Sequence, residues 1–184
     1  MAISSVLAII SFADLGIGNG LMNAVADANG RNDIQAMKRA ISSGLAILVA
    51  IAAVLIGCFG VAYRYVDWAR LFNAHSQIAR MEAGPALFVF ALCFALNIPI
   101  SLVMRVQMGL QEGFRSYLWQ LGGSIAGLVG VLAVVHFRAG LPWLLLALAG
   151  SPVAVATING IVFFFVNRRD LLPTLRFVSL ASIR

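Results

Sequence analysis

Charge is scarce in this chain: Asp, Glu, Lys and Arg supply 11% of its 184 residues, against about 25% in ordinary soluble domains. Two cysteines and two histidines are too few for a disulfide framework or a metal cluster. Cys58 and Cys93 both fall inside apolar runs and read as small packing residues. His75 and His136 have no carboxylate, cysteine or second histidine at ligand spacing. No GxSxG, HExxH or GK[ST]-ending loop occurs, so the expectation is no enzyme, no metal and no cofactor. Gly16 to Gly20 reads GxGxG, but it lies in an apolar run with no strand before it, which argues against a nucleotide loop. No connection between apolar runs reaches 20 residues, so a soluble domain has nowhere to fit.

What the chain has instead is apolar length. Hydrophobic residues make up 61% of it, and the mean hydropathy is +0.96. Four runs carry no charge at all: Ile41 to Tyr63, Gly84 to Met104, Ser116 to Phe137 and Gly140 to Asn167. A helix needs about 20 residues to cross a hydrocarbon core of about 30 Å. A fifth segment, Ser4 to Ala26, is apolar except for Asp14, Asn19 and Asn23. Ala24-Val25-Ala26 resembles a signal-peptide cleavage site, but no basic residue precedes the run, and a carboxylate and glycines interrupt its centre. The expected fold class is therefore an all-α integral membrane protein with about five transmembrane helices, at 4–26, 41–63, 84–104, 116–137 and 141–166.

The 13 basic residues give this bundle an orientation. Arg31, Lys38 and Arg39, then Arg105 and Arg115, then Arg168, Arg169, Arg176 and Arg184 fall on one side. Arg64, Arg70, Arg80 and Arg138 fall on the other. The richer side is expected to be cytoplasmic, with the first span running inward and a cytoplasmic tail over 167–184. Because the basic residues are scattered singly, they make no nucleic-acid face. Tyr63, Tyr65, Trp68, Tyr117, Trp119 and Trp143 all stand at span borders, where an apolar ring with a polar tip is best accommodated.

Candidate functional residues are the polar groups that the spans retain. Asp14 is the acidic residue nearest the middle of a span, and such a carboxylate is expensive unless it faces protein or a water-filled path. Asn19 and Asn23 share a helix face one turn apart, and Asn97 and Asn159 are further mid-span amides that line a path or join helices. Arg105, Gln107, Gln111, Glu112 and Arg115 cluster at the end of the third span, either as a solvated connection or as an intracellular gate. There Gln107 and Gln111 are expected to share a face, and Glu112 to pair with Arg115. Pro99 and Pro152 are expected to interrupt or kink their spans, while Gly16-xxx-Gly20, Gly123-xxx-Gly127 and Ala126-xxx-Gly130 offer close-packing faces.

Phe12-Ala-Asp-Leu-Gly-Ile-Gly-Asn-Gly-Leu-Met-Asn-Ala24, followed by Gly30-Arg-Asn-Asp33, resembles the oligosaccharide flippases of polysaccharide and O-antigen biosynthesis. Gln107-Met-Gly-Leu-Gln-Glu-Gly113 is similar to the same family's fourth-helix boundary. The superfamily also contains the multidrug and toxin extrusion transporters. The resemblance implies part of one six-helix lobe of a transporter in the bacterial inner membrane, in a fragment lacking the first helix and the second lobe. It further implies membrane lipid and a lipid-linked oligosaccharide as partners, with a coupling proton or sodium ion as a further one. The alternatives are a cation-coupled small-molecule exporter and a non-transporting membrane scaffold.

Overall fold

A computed structural model describes residues 17–66 and 77–174. These residues form five helices: α1 (Ile17–Gly30), α2 (Ile34–Tyr65), α3 (Gln77–Gly109), α4 (Gly113–His136) and α5 (Leu141–Asn167). Four of them, α2 to α5, are long and apolar enough to cross a membrane, which suggests a multi-pass membrane protein. Their outward faces agree. Leu118, Leu121, Ile125, Leu128, Val129 and Leu132 of α4 are each at least half exposed, an apolar stripe that water would not tolerate on a lone domain. Of the expected span 4–26, the part from Ile17 onward is helical, and the rest lies outside the described residues, as does Asp14.

The helices run past the charge-free stretches. Asp27 to Ala40 reads as a connection in the sequence, yet α1 continues to Gly30 and α2 starts at Ile34. Hydropathy locates the hydrocarbon slab. A helix of 32 or 33 residues is longer than that slab needs, at about 1.5 Å per residue. Asp33 starts α2 as its N-cap, accepting a hydrogen bond from Ala36 N at 2.9 Å.

Each short turn between consecutive helices ends its first helix in the same way. Glu112 N donates to Gln107 O at 2.8 Å and Gln111 N to Met108 O at 3.0 Å, with Gln111 at φ 62°. This is a Schellman closure, whose left-handed residue is usually glycine. Asn32 (φ 54°) and Arg138 (φ 50°) close α1 and α4 with the same pair of bonds. Because Gln111 pays the left-handed penalty, Gln111→Gly is expected to stabilise the chain by up to about 1 kcal/mol. Thermal unfolding in detergent micelles checks this, and a lowered midpoint would refute it.

The prolines do not end their helices. α3 continues through Pro85 and Pro99, and beside Pro99 the Ser101 hydroxyl donates to Ile98 O at 2.7 Å. In α5 a π-helical turn, Leu146–Gly150, stands just ahead of Pro152, and a second one, Phe163–Asn167, ends the helix. The wider turn accommodates the missing N–H and the ring of Pro152.

The core gathers at the end of the bundle where α1 meets α2, where α3 meets α4 and where α5 finishes. Val25, Ile41, Leu48, Leu102, Val106 and Phe163 are all essentially inaccessible there. The chain beyond α5 joins them. A 3-10 turn, Arg169–Leu171, buries Leu171 completely, and Thr174 N donates to the Ser42 hydroxyl of α2 at 3.1 Å. The first residues of the expected tail thus pack against the bundle, and 175–184 lie outside the described residues.

Small residues set the helix spacing. A Cβ on Gly123 would stand 3.2 Å from Pro152 Cα, and one on Gly130 3.2 Å from Ala147 Cβ, so α4 lies close along α5. Gly20 is exposed, with no atom within 4 Å of where its Cβ would be among the described residues. At the opposite end of the bundle, Glu82 of α3 accepts a hydrogen bond from Leu141 N at 2.8 Å, placing a carboxylate at the start of α5.

Candidate functional site

In a membrane helix every retained polar side chain must find a partner, so the polar residues of the spans outline where the chain can act. Three groupings emerge. The deepest joins α3 to α5: Gln107 Nε2 donates to Asn159 Oδ1 at 2.9 Å, and Asn159 Nδ2 returns a bond to Gln107 Oε1 at 3.1 Å. The two amides are 2% and 5% exposed, so each satisfies the other away from solvent.

The second grouping joins α1 to α3. Arg105 Nη1 donates to Asn19 Oδ1 at 3.1 Å, which ties the last turns of α3 to Asn19 of α1. Asn23, one turn along α1 from Asn19, is exposed. Glu112 pairs with Arg115 at 3.3 Å, as their spacing predicts, and also stands 3.8 Å from Arg168 Nε at the end of α5. One carboxylate therefore links the start of α4 to the end of α5. Both pairs are partly exposed and contribute little stability, at most about 1 kcal/mol each.

Gln107 and Gln111 do not share a face. α3 ends at Gly109, and the left-handed backbone at Gln111 turns it outward into solvent, while Gln107 is buried against α5. The i, i+4 relation holds only while the helix continues. Gln111 serves the turn.

The third grouping is a cleft of about 240 Å³ between α3, α4 and α5. α4 packs along α5 and touches α3 more sparsely, which leaves the space open. Asn97 and Ser101 line it from α3, Gln120 and Ser124 from α4, and Asn159 from α5. Trp119 adds a ring to the wall, and no charged side chain takes part. Ser124 donates to Gln120 O at 3.1 Å, and Gln120 Nε2 reaches Met104 Sδ at 3.5 Å, a weak acceptor. Asn97 is exposed and makes no hydrogen bond among the described residues.

Sequence reasoning singled out Asn97 and Asn159 separately, and the structure places both on this cleft. It missed Ser101, Ser116, Trp119, Gln120 and Ser124. Ser116, Gln120 and Ser124 recur every fourth residue along α4, a polar face inside a charge-free run, and that periodicity was the available signal. Among the described residues no group of His, Cys, Asp and Glu is arranged to hold a metal ion. No protein-family model, curated protein or solved structure matches the chain.

Proposed function

We propose that this chain is part of one lobe of a membrane transporter that moves a lipid-linked oligosaccharide across the bilayer. The observation that carries the reading is the cleft between α3, α4 and α5, a polar-lined opening in which the Asn97 amide has no hydrogen bond among the described residues and the Gln120 amide holds only a thioether, groups that acyl chains would not satisfy. A scaffold needs no such opening. The resemblance of residues 12–24, 30–33 and 107–113 to oligosaccharide flippases supplies the substrate class, and the Asn19–Arg105 bond ties the first of those stretches to the helix end just before the last.

Deleting the gene is expected to trap lipid-linked oligosaccharide on the cytoplasmic leaflet, measured by leaflet-selective labelling of the sugar. Asn97→Leu, which removes an amide that holds no helix partner, is expected to reproduce the defect with normal protein abundance. Normal surface polysaccharide in the deletion strain would refute the reading. Export of a small molecule whose pH or sodium dependence is lost in Asp14→Asn would instead support a cation-coupled exporter, for which Asp14 is the coupling candidate.

A further inference from the structure

The cleft's chemistry narrows what it can hold. Its lining contains no Arg, Lys, His, Asp or Glu, so neither a phosphate nor a metal ion finds a counter-charge in it. An acyl chain would leave the exposed Asn97 amide without a partner and the exposed Gln120 amide with only a thioether. At about 240 Å³ it falls below the roughly 300–1,000 Å³ of sites for drug-sized ligands, so a single ring is the unit it fits. An uncharged ring with hydroxyls around its edge and C–H groups on its face matches both halves of the wall. Amides donate and accept towards hydroxyls, and an indole offers its π-face to the C–H side.

We propose that the α3–α4–α5 cleft binds one neutral pyranose unit of the oligosaccharide, stacked on Trp119 and hydrogen-bonded by Asn97, Gln120 and Ser124. This rests on the transporter reading for its biological setting, and on the cleft alone for its chemistry. Asn97 presents two donors and an acceptor that no protein group uses among the described residues. Gln120 spends its amide N–H on a thioether, a bond that a sugar hydroxyl readily replaces. Asn159 forms the floor of the cleft, held in place by Gln107.

The test uses the full chain in nanodiscs, with Trp68→Phe and Trp143→Phe leaving Trp119 as the sole indole. Titration with methyl glucopyranoside is expected to change Trp119 emission saturably in the millimolar range. Glucose 6-phosphate is expected to bind at least about tenfold more weakly, since its charge has no partner in the cleft. Gln120→Ala and Ser124→Ala are each expected to weaken binding several-fold with unchanged helical content, which keeps the test sound if Asn97→Ala fails to fold. An emission that does not saturate, or that responds equally to the phosphorylated sugar, overturns the proposal. Translocation of lipid-linked oligosaccharide, measured in Trp119→Leu, separates the two readings. Lost translocation together with lost binding supports both, and intact translocation without binding overturns the sugar site alone. Binding in a native protein that never translocates overturns the transporter reading and leaves the site standing.

Discussion

Gly109→Val is expected to pull α1 off α3 and to lower stability by about 2–3 kcal/mol, the upper half of the range for overpacked sites. The position allows no other outcome short of backbone movement. A Cβ there would stand 2.7 Å from Met22 O and 3.0 Å from both Val25 Cβ and its Cγ1. The first of these is backbone, which cannot rotate away as a side-chain tip can. Val25 is itself fully buried in the core, so retreat of α1 opens space around Ile41 and Val106 as well. Gly109→Ala should show the same defect in milder form. Gly57→Ala, where nothing stands within 4 Å among the described residues, serves as the control and should be neutral or slightly stabilising. Equilibrium unfolding in mixed micelles measures all three, and a Gly109→Val protein as stable as the Gly57→Ala one would refute the close approach. The Asn19–Arg105 bond crosses the same α1–α3 contact. Gly109→Val should therefore disturb the polar face of α1 without altering either of those residues.

The sequence and the structure agree best where the physics is one-dimensional. A run without charge is a run that lipid accepts, and α2 to α5 each contain one. Helix ends were less legible, because the slab thickness that hydropathy reports is shorter than helices such as α2 and α3. The turn at Gln111 shows the local cost of that mismatch. A helix extrapolated two residues too far assigns Gln107 and Gln111 to one face, whereas one is core and the other solvent. Leu171 was hidden by its neighbours, since it follows Arg168, Arg169 and Asp170 in what reads as a solvated tail. Nothing local reveals that the 3-10 turn folds it onto α2.

The candidate site was legible in type and illegible in pairing. Mid-span amides announce that helices must meet or enclose a space, and Asn97 and Asn159 do so in the structure. Which amide meets which depends on helix packing across 52 residues of chain, and a single sequence holds no record of that distance. Gly109 shows the same limit. A glycine beside a turn reads as a helix terminator, and its role in admitting the α1 backbone exists only once α1 is in place.

Replacing both members of the Gln107–Asn159 pair should destabilise the chain by less than the sum of the two single replacements. Asn159→Leu leaves the Gln107 amide, 2% exposed, with neither protein partner nor water, at a penalty of about 1–3 kcal/mol. Gln107→Met, nearly equal in volume, should strand Asn159 in the same way. The double variant removes both amides, so its loss should fall short of the sum by about 1–2 kcal/mol, the upper range for polar pairs between membrane helices. A double-mutant cycle by unfolding in mixed micelles measures that coupling, and strict additivity would mean that the two amides do not hold each other. The same double variant also separates stability from function. Asn159 lines the cleft as well as joining α3 to α5. If the double variant folds well yet fails to move oligosaccharide, the floor of the cleft needs the amide for its own chemistry. If it folds well and transports normally, the pair serves only to join two helices, and the proposed sugar contact rests on Asn97, Gln120, Ser124 and Trp119.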